Sequence, residues 1–169
     1  MQTRERWATL KMGSGSAEDA RSPDAIEAEG LRHLVALLDS AHHSFVSVSG
    51  RLLASMYASD LFHAAAKRAQ KRGVEFLFLT GPAPDPESLE RLGFLKASIH
   101  VSEQEPRPHY EVADGVHVRY EGLHTEEERA RSNKLVRNVP TSARLLLQAA
   151  RVHMSEHPCK TASEWQEKR

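Results

Sequence analysis

Ionisable side chains crowd into one stretch of the chain: His109, Glu111, Asp114, His117, Arg119, Glu121 and His124 all fall between positions 109 and 124. Histidine beside carboxylates can serve as nucleophile or general base, and histidines and carboxylates two apart on a strand can converge on a divalent metal. Asp114-Gly115 divides the stretch. It is a strong hairpin signal, because both residues tolerate positive φ. Read as a two-residue turn, it puts His109, Glu111 and Ala113 on one face with Val116, Val118 and Tyr120. His117, Arg119 and Glu121 then face the other way with Tyr110 and Val112. That parity splits the histidines, so neither a metal nor any other cofactor is expected. His109 and Glu111 are expected to form a hydrogen-bonded polar pair lining a cleft, and Arg119 and Glu121 an ion pair of small energetic weight.

A second group, Ser47, Ser49 and Arg51, ends a β-prone run, the position at which open α/β sheets bind ligands. Turn and N-cap duty for the following helix accounts for the same residues. Arg107 can bring positive charge to the cleft, or pair with Glu103 or Glu105. His153 and His157, four apart near the end of the last helix, form a possible metal pair. Cys159 is the only cysteine; it has no disulfide partner in the chain, and nothing beside it would activate a thiolate.

These residues need elements to hold them. Apolar residues recur at helical spacing over 24–41, behind Ser22 as N-cap and Pro23 at the first helical position, although Gly30 costs that helix about 1 kcal/mol. A short β-prone run follows at 43–49, and a helical pattern at 51–72 closes on a cluster of Lys and Arg and on Gly73. The nearly all-apolar run 74–80 reads as a central strand covered on both faces. Next come a short helix through Ser88, Leu89 and Leu92, a strand at 97–101, and hairpin strands at 107–113 and 116–121. Thr125 and Glu128 look like a capping pair opening a further helix, and a last helix runs over 140–155. The alternation predicts an α/β fold: a largely parallel central sheet with an antiparallel hairpin, and helices on both faces.

Composition sets the limits. The 23 basic and 23 acidic side chains cancel, removing the net positive charge on which nucleic-acid and membrane-surface binders rely. No apolar run approaches the ~20 residues that span a bilayer, and the charged N-terminus is not followed by a signal peptide's apolar core. A cytoplasmic protein is expected, and the Arg- and Ala-rich composition fits a bacterial source. The expected organisation is a flexible arm over 1–23, one domain over 24–157 and a tail over 158–169. Trp7 is the large apolar residue of the arm.

Three passages come in order. Val46-Ser-Val-Ser-Gly50 ends a strand in small polar residues before a long helix. Ala65 to Thr80 runs helix, Arg-Gly-Val, central strand. Pro108-His-Tyr-Glu-Val-Ala-Asp-Gly115 puts a histidine on a strand ending in Asp-Gly. Together, over about half the chain (37–124), they resemble the phospholipase D-like family. The resemblance implies a histidine nucleophile on phosphorus, a lysine two residues later holding phosphate oxygens, and an aspartate and a later Ser/Asn completing the site. His109 matches the histidine, but Glu111 stands at the lysine position. Asp114 follows His109 by five residues where the family has seven. Tyr120-Glu-Gly-Leu-His124 replaces Gly-Ser-x-Asn. A cation about 4 Å from phosphate attracts it by roughly 4 kcal/mol at an effective dielectric near 20, and an anion reverses the sign.

The expected function is therefore a catalytically degenerate phospholipase D-like domain, a binding or regulatory module for a protein or small polar ligand. Ser47, Ser49, Arg107, His109, Glu111, Glu121 and His124 are its ligand-binding residues. One alternative is a phosphodiesterase or nuclease with His109 as nucleophile and Arg107 standing in for lysine; with a single motif copy, it would need a homodimer. Another is a structural or oligomerisation module that docks Trp7 onto a neighbour.

Overall fold

Ser22 and Pro23 open the first helix as expected: the Ser22 hydroxyl accepts from the Ala25 N–H, and α1 spans Pro23–Ser40. The computed structural model describes residues 22–121 and 133–167. His124, Trp7, most of the expected arm and the Thr125/Glu128 capping pair lie outside the described residues; where the helix expected after that pair would continue, residues 133–136 form a strand instead.

Three strands, β1 (Ser44–Ser49), β2 (Glu75–Thr80) and β3 (Ala97–Ser102), run parallel at the centre of the sheet. The hairpin strands β4 (Tyr110–Ala113) and β5 (His117–Glu121) add antiparallel beside β1. Two strands were not legible in the sequence. β6 (Asn133–Val136) pairs with β5, and β7 (Cys159–Thr161) pairs antiparallel with β3. Among the described residues the sheet is therefore mixed and seven-stranded, in the order β6-β5-β4-β1-β2-β3-β7. The stretch expected to be a tail carries β7 and then α6 (Ala162–Gln166), whose Thr161–Glu164 capping box is complete. Backbone pairing to the open edge of β3 draws in a segment with little β signal of its own.

The helical pattern at 51–72 is broken into α2 (Ala54–Tyr57) and α3 (Asp60–Lys71). Ser59 causes the break, donating its hydroxyl to Met56 O and accepting from the Phe62 N–H, so it ends one helix and caps the next. The basic run at the end of α3 is not simply solvated. Arg68 pairs with Asp39, and the Arg72 guanidinium donates to the carbonyls of Leu38 and Ala41, capping α1.

Side chains alternate across the sheet into two cores. On one face, Phe45, Phe76, Phe78 and Ala113 pack beneath α1, α2, α3 and α4 (Pro86–Leu92). On the other, Val48, Leu79, Tyr110, Val112 and Val118 pack against α5 (Pro140–Glu156). Each fully buried Leu or Phe contributes about 1.5–3 kcal/mol, so both faces are held mainly by apolar burial. The α1–α3 face also receives the polar chemistry of the hairpin.

Candidate functional site

The hairpin does not have the register read from its sequence. Ala113 pairs with His117 and Glu111 with Arg119, so the loop has three residues, Asp114, Gly115 and Val116. A one-residue change in register moves every side chain of one strand to the opposite face. His109, Glu111, His117, Arg119 and Glu121 therefore share one face, the face beneath α1 and α2. The loop is fixed by its own first residue. Asp114 adopts φ 53° and Gly115 φ 67°, and the Asp114 carboxylate accepts N–H bonds from His42, His43 and Ser44. Partial burial raises the Asp114 pKa, but the bonds from Ser44, His43 and His42 outweigh it and leave the carboxyl below its ordinary value. Asp114 is thus a staple between the hairpin tip and the start of β1.

A chain of polar contacts runs under the cleft. The Ser47 and Tyr57 hydroxyls lie 2.9 Å apart, and Tyr57 donates to Glu111 Oε1 at 2.6 Å. Arg119 Nη1 meets Glu111 Oε2 at 2.6 Å, and its Nη2 meets Glu121 Oε1 at 2.9 Å and Asn133 Oδ1. Asn133 in turn donates to Ile26 O on α1. Arg119 is fully buried and Glu111 is 2% exposed, so this is not the solvated ion pair expected of Arg119 and Glu121. Burial alone would lower the Arg119 pKa; Glu111 and Glu121 reverse that and hold the guanidinium charged. Burial is also the largest influence on Glu111 and pushes its carboxyl up, against Arg119. Tyr57, desolvated and facing the Glu111 carboxylate, is held well above the ordinary phenol range. Gly30 makes room for the network, since a Cβ there would lie 2.8 Å from Asn133 Nδ2 and 2.9 Å from Arg119 Nη2.

Above this floor, at the carboxyl ends of β1 and β2, a cleft opens between Ser49, Gly50, Arg51, Leu53, Met56, Tyr57, Glu105, His109 and Glu121. Its free volume is about 30 Å³, room for a water molecule or a group of similar size. His109 is 8% exposed, with Nε2 3.1 Å from Glu105 and Nδ1 3.6 Å from Glu121. Its expected partner was Glu111, which instead turns down to Arg119 and Tyr57. One wall carries strain: the buried Leu52 adopts φ 53°, a conformation costing a non-glycine residue about 1–3 kcal/mol. Its N–H donates to Ser49 Oγ, and the turn presents Arg51 and Leu53 to the cleft.

Of the expected ligand-binding residues, Ser49, His109 and Glu121 line this cleft. Ser47 and Glu111 lie beneath it, fully buried or nearly so. Arg107 pairs with Glu105 at 3.2 Å, is 66% exposed, and is not among the lining residues. Met56, Tyr57 and Glu105 escaped the sequence reading. Met56 and Tyr57 sit in what looked like one continuous helix, and Glu105 in a proline-flanked loop with no periodicity. Away from the cleft, the His153 and His157 rings meet at a tilt with centroids 4.5 Å apart, and His153 bonds Ser102 at 2.9 Å, joining α5 to β3. Among the described residues, no three His, Cys, Asp or Glu side chains are arranged to hold a metal ion.

No protein-family model matches the chain, and no curated protein does. Solved structures do resemble it. Nuc from Salmonella typhimurium, a phospholipase D family member, superposes with a TM-score of 0.58 at 15% identity, over 78% of this chain and 92% of Nuc. NucT from Helicobacter pylori gives 0.51 at 8% identity, over 79% of this chain and 92% of NucT. TrmBL2, an archaeal chromatin protein with a novel mode of DNA binding, gives 0.52 at 12% identity over 76% of this chain, which spans 51% of TrmBL2. At such identities the likeness concerns the fold, and the fold is phospholipase D-like.

Proposed function

We propose that this phospholipase D-like domain works by binding through the His109 cleft, taking a protein or small polar ligand rather than hydrolysing phosphodiesters. The observation that carries the reading is Glu111. At the position where the resemblance implies a phosphate-holding lysine, a buried carboxylate is held by Arg119 and Tyr57. Phosphoryl transfer depends on positive charge preorganised where negative charge develops. Here the cation nearest the floor, Arg119, is committed to Glu111 and Glu121 and is not available to a phosphoryl group. The location at the strand ends and the strained Leu52 support a ligand site.

A rival reading, a homodimeric phosphodiesterase with His109 as nucleophile, has one observation in its favour. A carboxylate lies near each imidazole nitrogen, and one of them could orient the ring as it does in nucleophile–base pairs. The deciding experiment assays the full chain on bis(p-nitrophenyl) phosphate and on single-stranded oligonucleotide, with and without divalent metals. The expected result is no turnover above that of His109→Ala. Turnover abolished by that substitution overturns the binding reading.

A further inference from the structure

We propose that Glu105 is an intramolecular occupant of the His109 cleft: a carboxylate seated where an external anionic group of similar size binds once the 103–108 strap lets go. The proposal rests on the binding reading above and names the class of ligand for the same site. Glu105 lies on the connection between β3 and β4 and is the residue of that connection that lines the cleft. Its Oε1 stands 3.1 Å from His109 Nε2, and its Oε2 stands 3.2 Å from the Arg107 guanidinium on the same strap.

The seat is built by the ends of two strands. A Cβ at Gly50 would lie 2.6 Å from Glu105 Oε1 and 2.9 Å from the His109 ring, so any larger residue there would expel the carboxylate. A Cβ at Gly81 would lie 2.7 Å from Gly50 O and 3.2 Å from Glu105 Cα. Two glycines, each just past the end of one of two neighbouring strands, therefore clear the space into which the strap lays its backbone and its carboxylate.

The seat at His109 is already taken. With Glu105 in place, its carboxylate stands 3.1 Å from His109 Nε2, where an external anion would otherwise meet the ring. An anionic ligand must displace the one already there. The strap is arranged for that exchange. Its first residues are tied down, by Glu103 N–H to Pro158 O and Gln104 N–H to Ser102 Oγ. The Glu105 side chain, one-third exposed, faces Arg107, which is two-thirds exposed. Arg107 stands outside the cleft, so the Glu105 side chain can turn out to it and remain paired.

The test is a titration of the full chain, followed through the histidine ring nitrogens by NMR, with acetate and inorganic phosphate as separate probes. The His109 signals are identified by their loss in His109→Ala. If the competent, unplugged state is a minor one, removing the plug raises apparent affinity by the inverse of its population. Glu105→Ala is therefore expected to bind one or both anions about tenfold or more tightly than the unaltered chain, with Glu105→Gln in between. A response to acetate alone identifies a carboxylate ligand, a response to phosphate alone a phosphate ligand, and either supports the occupant. Equal affinities in Glu105→Ala and the unaltered chain overturn the proposal, as does a gain that survives His109→Ala. Phosphodiesterase activity in the unaltered chain would remove the binding reading without touching this result, so the two failures are distinguishable.

Discussion

Replacing Arg119 by methionine tests whether the polar floor of the cleft is structurally essential. Methionine retains much of the apolar stem but deletes the guanidinium that meets Glu111, Glu121 and Asn133. Glu111, 2% exposed, is then left with Tyr57 alone. Removing one partner of a buried ion pair costs about 3–5 kcal/mol, against a total stability of about 5–15 kcal/mol for a domain. At roughly 2–4 °C per kcal/mol for a chain of this size, the melting temperature falls by about 6–20 °C. The loss has a pH signature. Without Arg119, which lowers the Glu111 pKa, burial acts unopposed by that charge and the folded-state carboxyl rises further above its unfolded value. A group raised on folding supports the folded state at low pH and loses that support as pH rises through its folded pKa. The deficit of the variant is therefore smaller at pH 5 than at pH 7.

Urea and thermal unfolding followed by circular dichroism at both pH values measure this. Adding Glu111→Leu should return part of the loss, because an apolar replacement of a whole buried pair is often close to neutral. A deficit below about 1 kcal/mol, the value of an exposed pair, refutes the reasoning. So does a double variant whose loss is simply the sum of the singles.

Gly30→Ala should destabilise the chain even though alanine favours a helix by about 1 kcal/mol. The added Cβ lands 2.8–2.9 Å from Asn133 and Arg119, and overpacking of that kind costs about 1–3 kcal/mol; a raised denaturation midpoint would count against it. Asp114→Asn should cost about 1–2 kcal/mol at pH 7, where three backbone N–H groups lose a charged acceptor. Because the folded-state pKa of Asp114 is lowered, its contribution is present above the ordinary value and is lost as pH falls through the folded one. The gap between variant and unaltered chain should thus close below about pH 4. Urea midpoints taken across the acid range decide this, and a gap that stays constant speaks against the staple.

The parallel centre of the sheet was legible because β2 is nearly all apolar, β1 is a short β-prone run, and the residues between them recur at helical spacing. β6 and β7 were not. Asn133-Lys-Leu-Val136 and Cys159-Lys-Thr161 are short edge strands, and their conformation is supplied by the strand beside each rather than by their own side chains. The hairpin was legible as a hairpin, but its faces were not, since Asp114-Gly115 is compatible with loops of two or three residues and parity turns on that difference. His109, Ser49 and Glu121 were found because polar residues at strand ends stand out. Tyr57 and Glu105 were hidden, because each reaches the cleft only through tertiary geometry: the break at Ser59 in one case, the path of the strap in the other.

The contacts that begin at Ser47 and end at Ile26 O pass through β1, α2, β4, β5, β6 and α1. No one of these elements can loosen without breaking a buried polar bond to another, so the floor of the cleft opens only when the domain as a whole unfolds. Amide protons of β4 and β5 should then share one slow exchange rate, that of global unfolding. The strap is held separately, by Glu103 N–H to Pro158 O, by Gln104 N–H to Ser102 Oγ and by the burial of Pro106. The base of the cleft is thus tied into six elements at once.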